Sequence, residues 1–171
     1  MTTESHRQAA AAAASTPFTL AIVTVSDTRT AETDVNGRYL RDRIESAGHR
    51  VGIQRIVPDD PERVTAVLDE IVADGGHRVV LFNGGTGIAR RDNTFDALSG
   101  KLEKTLPGFG ELFRMLSWAD VGSAAMLSRA IAGVYQGVFV VSMPGSPDAV
   151  RLAWEELIEP ELSHLAWEII R

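Results

Sequence analysis

The feature that most constrains the fold is a series of short, almost continuously apolar runs separated by helical patterns. Three of these runs are TLAIVTV at Thr19–Val25, VVLF at Val79–Phe82 and GVFVVS at Gly137–Ser142. They have the length and the β-branched content of buried strands, and a fourth strand is predicted at Val51–Val57. Strands that are apolar on both faces are typical of parallel sheets covered by helices on both sides. The sequence therefore predicts an α/β fold of three layers with a mostly parallel sheet.

The segments between the strands carry helical signals. Val35–Ala47 places its apolar residues on one helical face, and Gly48 can end that helix. Asp60 can cap a second helix and Pro61 suits its first position, while the apolar spacing that follows continues to Gly75. Further helices are predicted at Glu111–Trp118, at Ala124–Arg129, and from Ser146-Pro147 to the C-terminus with a kink at Pro160.

The tryptophans and histidines are interpreted as structural residues rather than as a site. Trp118, Trp154 and Trp167 lie on predicted helical faces, where core packing is the simplest explanation. The four histidines, at positions 6, 49, 77 and 164, lack the spacing of metal ligands. They are interpreted as surface residues or as internally hydrogen-bonded ones. We identify no convincing Ser-His-Asp set.

Length sets the expected domain organisation. The 171 residues suit one domain, predicted at residues 17–171, with residues 1–16 as a disordered, alanine-rich tail. A signal peptide is the alternative for this tail, but Glu4 lies in its would-be basic region and alanine is a weak apolar core. No apolar run approaches the roughly 20 residues that span a bilayer. We therefore expect a cytoplasmic protein without membrane association.

Charge and cysteine content exclude several classes of function. The formal net charge is −6, from 17 Lys+Arg against 23 Asp+Glu, which argues against nucleic acid as a partner because phosphate backbones attract basic surfaces. The chain has no cysteine, so disulfides, a thiol nucleophile and thiolate metal sites are excluded. A small phosphorylated ligand remains compatible with this composition.

The loop after the third strand carries the strongest chemical signal. It reads NGGTGIARRD from Asn83 to Asp92. Glycines allow close approach of the backbone and let successive N–H groups converge on an anion, so Gly84, Gly85, Thr86 and Gly87 favour phosphate binding over a plain turn. The lysine of a Walker A loop is absent, and Arg90 stands where the dinucleotide fingerprint requires its third glycine.

Two carboxylates at strand ends indicate a divalent cation. Asp60 is explained as a helix cap, whereas Asp59 has no evident structural role and, taken alone, is interpreted as a solvated loop residue. Asp59 and Asp92 together, beside the glycine loop, predict a Mg²⁺ site, because Mg²⁺ takes carboxylate and phosphate oxygens. Ligands of parallel sheets bind past the carboxyl ends of the strands. The loops Ser26–Arg29 and Met143–Pro147 belong to that edge and are either part of the site or simple turns.

Together, these loops resemble the motifs of the molybdenum cofactor biosynthesis proteins of the MoaB/MogA type. The matching motifs are Val25–Arg29, Pro58-Asp59, Asn83–Gly87 with Arg91-Asp92, Pro107–Arg114, Leu127–Arg129 and Met143–Pro147. The resemblance covers residues 18–171, and GFGELFRMLS at Gly108–Ser117 is most similar to the MoaB branch. It implies the Rossmann-related, three-layer fold of that family.

The resemblance also implies an activity, molybdopterin adenylyltransfer. AMP passes from ATP to the terminal phosphate of molybdopterin with Mg²⁺, and pyrophosphate is released. The implied catalytic residues and Mg²⁺ ligands are Asp59 and Asp92. The implied molybdopterin-binding residues are Ser26, Asp27, Glu111, Ser117 and Ser128, and the implied nucleotide- or phosphate-binding residues are Gly84, Gly85, Thr86, Gly87, Pro144, Gly145 and Ser146. A homo-oligomer, trimeric or hexameric, is implied as well, with other cofactor-biosynthesis proteins as further partners.

One departure from the family pattern concerns the loop that carries the second aspartate. Active relatives usually have proline after the threonine that matches Thr94, and this chain has Phe95. Some MoaB-branch members have lost the catalytic aspartates and are inactive, whereas this chain keeps both. The alternative is a non-catalytic molybdopterin-binding or assembly protein of the same fold. A molybdenum-insertion enzyme would need further domains, for which 171 residues are too few.

Overall fold

The structure, a computed structural model, describes residues 17–170, so the predicted tail at residues 1–16 lies outside the described residues. The strands are β1 Thr19–Val25, β2 Arg50–Val57, β3 Val79–Asn83, β4 Lys104–Thr105, β5 Ile131–Tyr135 and β6 Val138–Met143. The α-helices are α1 Val35–Ser46, α2 Pro61–Asp74, α3 Thr94–Ser99, α4 Pro107–Val121, α5 Pro147–Leu152 and α6 Leu162–Ile170. No helix in this part of the chain is long and apolar enough to cross a bilayer.

The six strands form one sheet in the order β2-β1-β3-β6-β5-β4. The first four are parallel, β5 runs antiparallel to β6, and β4 runs antiparallel to β5. The predicted mostly parallel sheet is confirmed. The antiparallel edge was not predicted, because β4 has only two residues and β5 contains Gly133, a residue that weakens a strand signal.

Alternating side chains of the strands fill two separate cores, one on each face of the sheet. Leu20 and Ile22 of β1 pack with residues of α1, α4 and the C-terminal helices. Ala21 and Val23 of the same strand pack with α2 and α3 on the opposite face. Since successive residues of a strand point to opposite faces, helices on both sides bury every position of the central strands β3 and β6, whereas the edge strands β2 and β4 keep exposed positions. The predicted three-layer architecture is confirmed.

Local sequence signals set several helix boundaries as expected. Asp60 caps α2 by accepting a hydrogen bond from the Arg63 N–H at 2.9 Å, Pro61 occupies the first turn, and Gly75 ends the helix with a φ of 70°. Asp34 caps α1 in the same way, with its carboxylate accepting from the Gly37 N–H at 2.9 Å. Both helices begin and end within a residue or two of the predicted positions.

Other helical predictions need correction. The short helix expected at Glu111–Trp118 extends over all of α4, and the segment Gly122–Leu127 after it is a tight 3₁₀ turn instead of the helix expected at Ala124–Arg129. The kink expected at Pro160 is a longer irregularity, with a π-helical stretch before it and a 3₁₀ turn around it, because proline donates no backbone hydrogen bond. Trp118 is 63% exposed, so its assignment to the core was wrong, whereas Trp154 is fully buried.

The parallel strands bring the candidate loops to one edge of the sheet. Val25 pairs with Val57, Thr24 pairs with Asn83, and Asn83 pairs with Met143. The loops after β1, β2, β3 and β6 therefore leave the sheet side by side. This places the predicted carboxylates and glycines in one neighbourhood.

Candidate functional site

A buried polar network lies under the edge where these loops meet. The Asn83 side chain donates to the Thr24 hydroxyl at 3.0 Å and accepts from the Asn36 amide at 3.0 Å. The Thr24 hydroxyl in turn donates to the Asp34 carboxylate at 2.8 Å, and Asn36 also donates to the Gly145 carbonyl at 2.8 Å. All four side chains are buried, so each hydrogen bond lies in a medium where an unpaired polar group is costly. The network fixes β1, α1 and the loops after β3 and β6 relative to one another.

The glycine loop is shaped by contacts with the protein itself. Gly84 and Gly85 have φ angles of 106° and 65°, which side chains with a β-carbon rarely adopt. A β-carbon on Gly84 would also collide with the Val25 carbonyl oxygen, and one on Gly85 would collide with the Thr94 hydroxyl. Gly145 packs against Gly84, so the loop after β6 touches the loop after β3. The glycines are therefore required for assembly of the edge, whether or not a ligand is bound.

Asp59 is half-buried beside this loop. Its Oδ1 accepts hydrogen bonds from the Asn93 N–H at 3.2 Å and from the Thr94 hydroxyl at 3.1 Å. Burial raises the pKa of this carboxyl, the two hydrogen bonds lower the pKa, and the charges of Asp92 and Asp27 raise it, with a net upward shift. Asp59 is thus a partly desolvated acid whose pKa is raised further by the charges of Asp92 and Asp27, a setting that favours a cation.

Asp92 lies at the far end of the same loop. Its Oδ2 accepts a hydrogen bond from the Ala89 N–H at 2.9 Å, and the Asp92 N–H donates to the Ala89 carbonyl at 2.9 Å. A β-carbon on Gly87 would collide with this carboxylate. Gly85 and Gly87 therefore each face one of the two predicted catalytic aspartates.

Asp27 ties the loops after β1, β2 and β3 together. Its Oδ1 accepts from the Asp59 N–H at 3.2 Å, and its Oδ2 forms an ion pair with Arg91. The neighbouring Ser26 hydroxyl accepts from the backbone N–H groups of Thr28 at 3.2 Å and Arg29 at 3.1 Å. Both residues were predicted to bind molybdopterin, and both have a structural role at the edge of the sheet.

Predicted residues of α4, of the segment before β5 and of the loop after β6 line two cavities that share Ser128, whereas Thr86 is buried and lines neither. One cavity, of about 420 Å³, is lined by Glu111 and Ser128 together with Phe95, Arg114 and Arg129. The other, of about 570 Å³, is lined by Ser128 as well, together with Ser117, Pro144 and Ser146. The predicted molybdopterin-binding residues are therefore divided between these two cavities and the loop after β1, which carries Ser26 and Asp27.

Two of the lining serines have structural partners as well. The Ser117 side chain is buried in α4, and its hydroxyl donates to the Phe113 carbonyl one turn earlier at 2.7 Å. Ser146 caps α5 by accepting from the Ala149 N–H at 3.3 Å. The capping role explains a serine at position 146 without a ligand. The hydroxyl of Ser117 is already paired, so any contact with a ligand would use its remaining acceptor capacity.

The carboxylates fit a metal that arrives with a phosphorylated ligand. Within residues 17–170, no group of three or more acidic or histidine side chains is arranged to hold a metal ion. Two carboxylates are sufficient for Mg²⁺, which usually retains water and completes its shell with substrate phosphates. Asp59 and Asp92, beside a loop of glycines, match that donor set.

Comparison with known proteins identifies the family. Residues 21–164 match the family model described as a probable molybdopterin binding domain. The chain belongs to this family. It is 52% identical over 155 residues to the molybdenum cofactor biosynthesis protein B of Bacillus cereus, covering 88% of this chain and 89% of the relative.

Solved structures of the MoaB type share the fold of this family member. A crystal structure of molybdenum cofactor biosynthesis protein B superposes with a TM-score of 0.88 at 48% identity, covering 91% of this chain and 98% of the other. The tungsten cofactor synthesizing protein MoaB of Pyrococcus furiosus gives a TM-score of 0.82 at 34% identity, with the same coverage. Both the fold and the family inferred from the sequence are confirmed.

Several residues of the site were missed by reasoning from the sequence. Asn83 was treated only as the start of the glycine loop, and Asn36 and Asp34 were not considered. Thr94 and Arg129 were noted only as parts of motifs, yet Thr94 donates to Asp59 and Arg129 contacts the loop that carries Asp92. A lone asparagine at the end of an apolar strand was the one available signal, since a buried amide must find partners.

Proposed function

We propose that this protein is a Mg²⁺-dependent molybdopterin adenylyltransferase of molybdenum cofactor biosynthesis. The observation that carries the proposal is the position of the two carboxylates beside the loop after β3. Asp59 faces Gly85, and Asp92 faces Gly87. A phosphate bound at this loop would lie beside both carboxylates. Transfer between phosphates depends on positioning and on charge neutralisation, which are the functions that this arrangement supplies.

The reaction joins two anions. An oxygen of the terminal phosphate of molybdopterin forms a bond to the α-phosphorus of ATP, and the bond from that phosphorus to the bridging oxygen of pyrophosphate breaks. Asp59 and Asp92 would hold Mg²⁺, whose charge offsets the repulsion between the phosphates. Asp59 is held in place by Asn93 and Thr94, and Asp92 by Ala89, so neither needs to reorganise during the reaction.

The cavity lined by Ser117 and Ser146 is the proposed molybdopterin pocket. Its volume of about 570 Å³ lies within the range of small-molecule sites. It includes Pro144 in the loop whose Gly145 packs against Gly84, so a ligand there reaches toward the glycine loop. The cavity lined by Glu111 and Arg114 shares Ser128 with this pocket, which is compatible with the molybdopterin contacts that the resemblance implies for Glu111 and Ser128.

We also propose that the protein is a homo-oligomer. Leu112, Met115, Trp118 and Val121 of α4 and Met126 and Leu127 of the following turn are all exposed, and we call this set the apolar surface of α4. Such clusters on soluble proteins mark contact sites. A second copy of this chain is the proposed occupant, in agreement with the trimer or hexamer that the resemblance implies.

One assay separates the enzyme from the non-catalytic alternative. The protein is mixed with ATP, Mg²⁺ and molybdopterin, and pyrophosphate release is measured beside molybdopterin binding. Release of pyrophosphate that requires all three reactants supports the adenylyltransferase. Binding of molybdopterin without release of pyrophosphate favours the binding or assembly protein.

A further inference from the structure

Arg129 uses all three nitrogen atoms of its guanidinium group on the loop that carries Asp92 and on the helix α3 that follows it. Its Nε donates to the Thr86 carbonyl at 3.2 Å, and one terminal nitrogen donates to the Asp92 carbonyl at 2.8 Å. The other terminal nitrogen donates to the Asp96 carboxylate at 2.8 Å. One side chain thus holds both ends of the segment 86–92 and the first turn of α3.

The same segment has little support of its own. Between residues 86 and 92, Asp92 and Ala89 are joined by one backbone hydrogen bond and by the bond from the Ala89 N–H to the Asp92 carboxylate. Ile88 is 70% exposed, and Arg90 and Arg91 are exposed as well. A short exposed loop of this kind depends on tertiary contacts for a fixed conformation. Arg129 supplies contacts at both of its ends.

Phe95 fixes the orientation of the guanidinium. The central carbon of the Arg129 guanidinium lies 4.9 Å from the centre of the Phe95 ring, so the cation packs over the aromatic face. A planar guanidinium held over a ring can still donate hydrogen bonds from its edge. Phe95 stands where the resemblance led us to expect proline, and this contact gives the aromatic residue a specific role.

We infer that Arg129, held by Phe95, is a positioning residue that fixes the backbone of Asp92 and thereby the direction of the Asp92 carboxylate. Three of the five N–H groups of its guanidinium donate to the segment 86–92 and to α3, so its role is assigned to Asp92 rather than to the substrate. This inference rests on the proposed function for its kinetic consequence. Its structural consequence, an ordered segment 86–92, does not depend on that function.

The test compares four variants for turnover and for hydrogen exchange of the amides in segment 86–92. Arg129→Ala removes every contact, and Arg129→Lys keeps the charge but loses the planar donor set. Phe95→Leu keeps an apolar side chain and removes the ring. Arg55→Ala is the control, because Arg55 forms a comparable ion pair with Glu70 at 2.6 Å on α2, away from these contacts.

The inference predicts that kcat falls on the order of 10²-fold in both Arg129 variants, since a small misplacement of a catalytic group has about that effect. KM for ATP and for molybdopterin stays near the wild-type value. Phe95→Leu gives a smaller fall in kcat. In all three variants the amides of Ala89 and Asp92 exchange faster than in the wild type, and Arg55→Ala matches the wild type in both measurements.

Two results would overturn the inference. One is unchanged exchange and unchanged kcat in Arg129→Lys and Phe95→Leu. The other is a raised KM with unchanged kcat, which would make Arg129 a substrate-binding residue. If the wild type has no turnover, the proposed function fails, and the exchange data alone decide whether Arg129 orders the segment. If Arg129→Ala does not fold, Arg129→Lys and Phe95→Leu decide the question.

Discussion

Gly85 lies so close to Asp59 that a β-carbon on the glycine would come within 2.6 Å of the Asp59 Oδ2. The loop proposed to hold phosphate and the carboxylate proposed to hold Mg²⁺ are therefore in direct contact. Any side chain at position 85 displaces one of them. Because Gly87 faces Asp92 in the same way, a substitution in the glycine loop should disturb the carboxylates.

Gly85→Ala is expected to abolish most turnover and to destabilise the protein. The left-handed φ of residue 85 costs alanine about 1 kcal/mol, and the collisions with Thr94 and Asp59 add to that cost. Gly75→Ala is the matched control, because Gly75 has a similar φ of 70° and open space around it. Thermal unfolding and pyrophosphate release measure both effects. If Gly85→Ala and Gly75→Ala have the same melting temperature and the same pyrophosphate release, the close contact of Gly85 with Thr94 and Asp59 is refuted.

Asp59→Asn is expected to become more stable relative to the wild type as the pH rises. Because the pKa of Asp59 is raised in the folded protein, the folded state holds its proton more tightly than the unfolded state does. The wild type therefore loses stability as the pH rises from the ordinary carboxyl pKa through the folded-state pKa of Asp59. Asparagine does not titrate and can still accept from Asn93 and Thr94. Denaturant titrations give the free energy of unfolding of both proteins across this pH range, and the difference between them should grow as the pH rises. A difference that stays constant with pH would contradict the raised pKa of Asp59.

Ser117→Glu is expected to weaken molybdopterin binding by about tenfold or more, equivalent to about 1.4 kcal/mol, through bulk and repulsion of the ligand phosphate. Ser117→Ala should bind normally, since the wild-type hydroxyl already donates to the Phe113 carbonyl. Ser46→Glu, at the exposed end of α1, controls for the added charge. Titration of each variant with molybdopterin measures the effect. Equal affinity of Ser117→Glu and wild type would remove Ser117 from the site.

Trp118→Lys is expected to dissociate the proposed homo-oligomer. Trp118 and Met126 are 63% and 76% exposed within the apolar surface of α4, and burying a charge there without a partner is unfavourable. Ile88→Lys is the control, because Ile88 is 70% exposed but lies outside that surface. Light scattering at micromolar concentration should give a trimer or hexamer for the wild type and the control, and a smaller species for Trp118→Lys. A monomeric wild type would reject the proposed interface.

The sequence was sufficient to predict elements whose signals are local. The capping carboxylate of Asp60, the proline after it and the stop at Gly75 lie within one helix, so α2 was predicted almost to the residue. The position of the loops at one edge also followed from the sequence, because parallel strands must end together.

The missed features depend on residues that are distant along the chain. Asn36 lies 47 residues from Asn83 and 109 residues from Gly145, so their network has no sequence signature. Gly133 weakens the strand signal of β5, yet a β-carbon there would collide with the Lys104 carbonyl of the neighbouring strand. Trp118 fits a helical pattern in either environment, and only tertiary packing decides that it faces outward.

The most direct test of the proposed function compares the transfer of AMP by the wild type, Asp59→Asn and Asp92→Asn. Each protein is given Mg²⁺, molybdopterin and ATP radiolabelled at the α-phosphate, and labelled adenylyl-molybdopterin is measured. The proposed function predicts transfer by the wild type and a loss on the order of 10²-fold or more in each variant, with molybdopterin binding retained. Near wild-type transfer by both variants at saturating Mg²⁺, or no transfer by a wild type that binds molybdopterin, would contradict it.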